Sequence, residues 1–138
     1  MAKIKYLIGN LKEFSEEIQK EILGLYKKYL KEKPKGHTFF VIIKNDVLQG
    51  VSSLKGRCGY YYLRGCVVKP EFRGNGLQKK LIKKRINYLR LKNINEVRVT
   101  IYAWNIHSIT NVLSKGFKFE KIRLLPNGKT GNTYLKKF

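Results

Sequence analysis

A strand that ends at a proline and hands over to a helix through a glycine-rich loop constrains this chain more than any other feature. The segment reads Val67-Val68-Lys69-Pro70-Glu71-Phe72-Arg73-Gly74-Asn75-Gly76-Leu77. A strand is predicted over 60–68, and Pro70 closes it because proline cannot donate to a ladder. Leu77, Leu81, Ile82, Ile86 and Leu89 then recur at helical spacing, which predicts an amphipathic helix over 76–92. Val97, Val99 and Ile101 alternate with Arg98, Thr100 and Tyr102, which predicts a strand over 96–103. A strand-helix-strand unit needs a crossover, so these two strands are expected to be parallel.

The remaining elements follow from the same patterns. A short strand is predicted over 3–8. A helix is predicted over 13–30, with Phe14, Ile18, Ile22, Leu25, Tyr26 and Tyr29 on one face. Strands over 37–44 and 47–54 flank an Asn45-Asp46 turn, and Gly50 marks a bulge or a close-packing point. A turn at Lys55-Gly56-Arg57 leads to strand 60–68. A short helix over 105–115 ends at Gly116, and strands 117–125 and 133–137 form a hairpin around Pro126-Asn127-Gly128. Tight turns make the early strands antiparallel. The fold class is therefore α/β in the α+β sense: a mixed, mostly antiparallel central sheet with one parallel pair and helices on both faces.

At 138 residues the chain is expected to be one domain, able to bury a core without metal or disulfide staples. The clearest break, Lys31-Glu32-Lys33-Pro34-Lys35-Gly36, has the length of a turn. Thirty Lys and Arg against nine Asp and Glu give a net charge of +21, which favours anionic partners. A Lys-rich compositional habit explains the same excess. Cys58 and Cys66 form neither a disulfide framework nor, without a neighbouring His or CxxC spacing, a zinc site. No metal is expected. No apolar run approaches the ~20 residues that span a bilayer, and residues 1–10 lack a signal-peptide core, so a reducing cytoplasm is the expected location.

The loop itself is built to take phosphate. A helix start carries unpaired N–H groups and partial positive charge. Glycines there let an anion approach the backbone, and Arg73, Lys79 and Lys80 add formal charge. The Walker pattern is absent. So is the dinucleotide fingerprint, because its third glycine position is Lys79 and no acidic residue ends the next strand to hold a ribose.

From Val68 to Leu77 the stretch resembles the acetyl-CoA loop of the GNAT superfamily of N-acetyltransferases. The family pattern Arg/Gln-x-x-Gly-x-Gly/Ala, preceded by Val-x-Pro, here reads Arg73-Gly74-Asn75-Gly76-Leu77-Gln78. A second motif follows at family spacing: the strand from Val97, then Asn105-Ile106-His107-Ser108-Ile109, then Lys115-Gly116-Phe117. The resemblance covers 47–138. It implies an acetyl-CoA-dependent N-acetyltransferase of GNAT-like fold, whose parallel strands splay to leave a cleft for the cofactor. Backbone amides of Arg73, Gly74, Asn75, Gly76, Leu77, Gln78 and Lys79 would hold the pyrophosphate. Backbone of Cys66, Val67 and Val68 would pair with the pantetheine arm, one N–H stabilising the oxyanion. Asn105, assisted by Asn111, would bond the pantetheine amides.

The chain departs from the family in places. Gln78 replaces a Gly or Ala. Val112 stands where many members carry a Tyr that protonates the leaving thiolate; Ser108, four residues earlier on the same helix face, is read either as the substitute that supplies the proton or holds a water that does, or as an ordinary helix-start serine. Tyr62 occupies the position where histone-type relatives place a Glu base, and a Tyr with an ordinary pKa near 10 is a poor base at pH 7. A water chain to bulk is the preferred route for the amine proton, with His107 the alternative base. Cys66 as an acetyl carrier is set against Cys66 as a small apolar strand residue. Direct transfer in a ternary complex is the expectation. The acceptor is a primary amine of a small molecule or protein, and the chain is a monomer or homodimer. With so few carboxylates, a neutral or acidic acceptor is expected over a polyamine. The alternative readings are a nucleic-acid- or ribosome-associated module using Lys79, Lys80, Lys83, Lys84, Arg85, Arg90 and Lys92 as a basic helix face, and a non-catalytic acetyl-CoA-binding relative.

Overall fold

The computed structural model describes residues 3–138. Seven strands form one mixed sheet: β1 (Ile4–Asn10), β2 (Thr38–Lys44), β3 (Val47–Arg57), β4 (Tyr60–Val68), β5 (Glu96–Tyr102), β6 (Lys118–Leu124) and β7 (Thr130–Lys137). Their spatial order is β1-β2-β3-β4-β5-β7-β6. Three α-helices join them: α1 (Glu16–Leu25), α2 (Leu77–Leu91) and α3 (Ile106–Ser114). The β4–β5 pair is parallel, with Tyr62 opposite Arg98, as the crossover argument requires. The chain divides into two compact units, 1–55 with 64–88 and 56–63 with 89–138.

In the first unit, β1 and β3 both pair antiparallel with β2. Strand β2 is a continuous apolar run because both its faces are covered. Phe39 and Val41 join Ile22, Tyr26 and Val51 in the core under α1. On the opposite face, Phe40 meets Tyr88 of α2 edge to face at 5.4 Å. The five predicted inward residues of α2 (Leu77, Leu81, Ile82, Ile86 and Leu89) are all buried. A register shift between Ile42 and Ile43, opposite Gln49 and Gly50, is the bulge that the glycine signalled.

Strand β1 runs on to Asn10 and β7 begins already at Thr130, and three further boundaries differ from the sequence expectation. Ser15, not residue 13, starts the first helix: its Oγ accepts the Ile18 N–H at 3.3 Å, as an N-cap does. Glu13 belongs to a preceding 3-10 turn, where its carboxylate accepts the Asn10 N–H at 3.0 Å. Residues Tyr26–Leu30 continue as a π-helical turn rather than α-helix, ending at Lys31 with φ +53°. Finally, β3 runs through Gly56, and the chain reverses at Cys58 (φ +52°) and Gly59 (φ +81°). Two successive positive φ angles suit the twist of a hairpin better than the predicted turn at 55–57.

In the second unit, β7 lies between β5 and β6 and is antiparallel to both. Thr100 and Thr133 are cross-strand partners whose hydroxyls meet at 2.9 Å. Arg98 binds Glu120 through Nε and Nη2, both at 3.0 Å, and Glu96 at 3.2 Å. These bonds raise the Arg98 pKa, the Glu120 bond most. Among the described residues, no helix is long and apolar enough to cross a membrane.

Candidate active site

The candidate residues fall in both units, and each group has its own local geometry. In the first unit, a 3-10 turn (Pro70–Phe72) follows β4 directly. Phe72 N–H donates to Lys69 O at 2.9 Å, and Asn75 Nδ2 donates to Phe72 O at 3.1 Å. Gly74 and Gly76 have φ of +85° and +72°, a region that glycine enters without strain. A Cβ built on either would meet nothing within 4 Å. Both glycines therefore satisfy the loop conformation and face open space.

The first helical bond of α2 runs from Lys80 N–H to Gly76 O at 3.2 Å. The N–H groups of Leu77, Gln78 and Lys79 precede it and have no intrahelical acceptor. They carry the positive end of the helix dipole, roughly half a charge. Gln78, Lys79 and Lys80 are exposed, and no carboxylate occurs between Arg73 and Lys84. Among the sequence-predicted contacts Arg73 has a further task. Its Nε donates to Val68 O at 3.0 Å, and its guanidinium lies 5.7 Å from the Tyr29 ring. Arg73 thus pins the loop to the end of β4. Beside the loop opens a cleft of about 470 Å³ whose walls include Phe72, Asn75, Leu77 and Lys80.

Strand β4 presents alternate backbone groups to opposite edges. Lys69 N–H donates to Gln49 O of β3 at 3.0 Å, and Val67 O lies 3.3 Å from where a Gly50 Cβ would sit. Residues 67 and 69 therefore face β3. By the two-residue strand period, Cys66 and Val68 direct their N–H groups away from it. Burial pushes the Cys66 thiol up, against the opposing effect of Arg85, so the sulfur is a thiol at neutral pH.

Sequence reasoning missed a buried polar cluster behind this strand. Arg85, expected on the basic outer face of α2, is instead only 3% exposed. It falls four residues after Leu81, on the apolar stripe rather than the lysine face. Its Nη1 donates to Ser53 O at 3.1 Å and Arg64 O at 3.2 Å, and its Nε donates to Leu81 O at 3.3 Å. Tyr26 Oη donates to Ser53 Oγ at 2.8 Å or Gly65 O at 3.1 Å, and His37 Nδ1 meets the same Ser53 hydroxyl at 2.9 Å. Burial, then the cations Arg64 and Lys55, lowers the His37 pKa to about 4. The imidazole is therefore neutral at pH 7, and its 3.9 Å approach to Glu32 is no ion pair there. Burial likewise raises the Tyr26 pKa.

In the second unit, Tyr62 is half-buried opposite Arg98. Asn105 caps α3: its Oδ1 accepts the Ser108 N–H at 3.2 Å, which leaves the Nδ2 donors for another acceptor. Ser108 and Asn111 are half-buried, His107 is exposed, and Val112 is buried. Val112 packs as core, which explains its apolar type. Tyr102 and Trp104 stack at 5.7 Å with Trp104 largely exposed.

A sequence model of the acetyltransferase (GNAT) family matches residues 7–117, a span that holds both loop motifs. The chain belongs to this family. No curated protein matches this GNAT-family chain in sequence. Solved structures share its fold. The NatC complex bound to Gag peptide and CoA aligns with a TM-score of 0.80 at 16% identity, covering 99% of each chain. Arabidopsis thaliana Naa50 in complex with the bisubstrate analogue CoA-Ac-MVNAL aligns at 0.76 and 13%, again over 99% of each. The Escherichia coli ribosomal-protein-S18-alanine N-acetyltransferase aligns at 0.72 and 15%, over 99% of this chain and 94% of that one. The mixed sheet with one parallel pair is thus the GNAT fold expected from the two motifs.

Proposed function

We propose that this chain transfers an acetyl group from acetyl-CoA to a primary amine by direct attack. The observation that carries the reading is the origin of α2, where three consecutive N–H groups without helical acceptors follow two left-handed glycines that border open space. These groups fit a diphosphate: they are donors only, with the exposed residues Gln78, Lys79 and Lys80 around them and no carboxylate between Arg73 and Lys84. Acetyl-CoA supplies the activated acyl thioester.

The chain's own residues bind and orient it. Amides of Gly76, Leu77, Gln78 and Lys79 hold the diphosphate, with Arg73, Gly74 and Asn75 shaping the loop. The outward N–H groups of Cys66 and Val68 bond the pantetheine arm and the thioester carbonyl, and Val67 anchors the strand to β3. The free Nδ2 of Asn105 donates to a pantetheine carbonyl, and Asn111 assists. Water carries the ammonium proton to bulk past Tyr62, and the Ser108 hydroxyl, or a water it holds, relays a proton from bulk to the leaving thiolate and is reprotonated from the same water. The raised Cys66 thiol pKa favours direct attack over an acetyl-cysteine.

The acceptor is a peptide or protein amine in our reading, supported by the neighbours named for ribosomal-protein-S18-alanine acetylation and for the MVNAL bisubstrate analogue. Two free cysteines suit a reducing cytoplasm as the place of action. Thiol release from acetyl-CoA tests the proposal with peptides of varied N-terminal residue, a free amino acid and spermidine. Turnover with a peptide supports it. Preference for spermidine overturns the acceptor class, and silence with every amine overturns catalysis.

A further inference from the structure

The backbone of β4 changes phase at Gly65. In a regular strand, successive carbonyls point to opposite edges. Here the consecutive carbonyls of Arg64 and Gly65 are both held by one side-chain cluster. Arg64 O accepts from Arg85 Nη1 at 3.2 Å and from Ser53 Oγ at 3.3 Å. Gly65 O accepts from Tyr26 Oη at 3.1 Å. That convergence needs a non-extended residue between them, and Gly65 has φ +21°. No other residue fits, because a Cβ there would lie 2.7 Å from both the Tyr26 ring and Leu30 Cδ1.

A one-residue change of phase exchanges the edges to which every later N–H points. The cluster therefore decides which amides of β4 are paired with β3 and which are turned away. Resting on the acetyl-CoA reading above, we infer that Tyr26 and Arg85 are positioning residues: they lock the kink at Gly65 and so turn the Cys66 and Val68 N–H groups toward the pantetheine arm. Neither side chain touches the cofactor. Tyr26 stands where α1 passes into the π-helical turn (Tyr26–Leu30), with its hydroxyl against β4. Arg85 contributes a charge that is buried and bonded to main-chain carbonyls, a costly arrangement for a helix that needs only apolar residues on that face.

Tyr26→Phe keeps the ring that fills the space beside Gly65 and removes only the hydroxyl. Calorimetry with two probes separates the arm from the nucleotide: acetyl-CoA, and adenosine 3′-phosphate 5′-diphosphate, which has the diphosphate without pantetheine. The expected result is about a tenfold loss of affinity for acetyl-CoA, with the second probe held within about twofold. Amide exchange at Cys66 and Val68 should quicken at unchanged circular dichroism. Arg85→Lys, which keeps a donor, should retain more acetyl-CoA affinity than Arg85→Met. Equal loss of both probes, or no change in either alongside unchanged exchange, overturns the positioning role while leaving the acetyl-transfer reading intact. Failure of the native chain to bind acetyl-CoA strikes that reading itself, and the exchange rates still report whether Tyr26 holds the kink.

Discussion

Helix α2 carries two sets of hydrogen-bond donors that have been treated in opposite ways. At its origin, the N–H groups of Leu77, Gln78 and Lys79 lack helical acceptors, and the Gln78 and Lys79 residues are exposed. Two turns on, Arg85 is buried and its donors reach three carbonyls. An unpaired donor in water costs the fold little and is available to a ligand. An unpaired group in the interior costs ~1–3 kcal/mol, so buried donors are matched. The same helix thus supplies a binding element at one end and a structural brace at the other. Damage to the brace should show mainly as lost stability, and damage to the origin mainly as lost affinity.

The largest effect is expected from Arg85→Met. It strips a donor from Ser53 O and Arg64 O in the interior, and the unfolding free energy from urea denaturation should fall by about 3 kcal/mol. A loss below ~1 kcal/mol would show that relief of the buried charge offsets the bonds, and the contrast would weaken.

The next effect is a pH dependence of the same cluster. His37 titrates near 4 in the folded chain against 6.5 as a free side chain. As pH falls below 6.5, the unfolded chain takes up this proton first, so stability is lost between pH 6.5 and 4 and the loss levels off below. The contribution is roughly 3 kcal/mol. His37→Gln should flatten that part of the profile, measured as the difference between the two urea midpoints across the range.

Smaller in stability but larger in binding is Gly76→Val. A β-branched residue at φ +72° costs ~1–2 kcal/mol. Its side chain would also enter the open space beside the loop, and the altered loop should lower acetyl-CoA affinity at least about tenfold by calorimetry. The smallest effect is that of Asn75→Ala, which removes an exposed bond to Phe72 O. About 0.5–1 kcal/mol of stability should be lost, with a modest rise in KM for acetyl-CoA.

The origin of α2 was legible in the sequence because its signals are local. Pro70, Gly74 and Gly76 each act on their own backbone, and the apolar spacing of Leu77, Leu81 and Ile82 fixes where the helix begins. The brace was not legible. Arg85 stands in a run of basic residues, Lys83-Lys84-Arg85, and its acceptors come from Ser53 and Arg64, 32 and 21 positions away. Only its place four residues after Leu81, on the apolar stripe, marked it as inward. The turn at Cys58-Gly59 was hidden for a related reason. Lys55-Gly56-Arg57 reads as a turn by composition, yet Gly56 stays in β3, where a Cβ would lie 3.5 Å from the Tyr61 ring. Asn105 was expected at the cofactor, and its cap to Ser108 N–H shows that one of its two polar ends is already committed.

The central claim is that the amides at the start of α2 capture the diphosphate of coenzyme A. Titration of coenzyme A into isotopically labelled protein, followed by amide chemical shifts, reads it most directly. The account predicts the largest saturable shifts at Gly76, Leu77, Gln78 and Lys79. Binding that leaves these four amides unmoved, or no saturable shift anywhere, would contradict it.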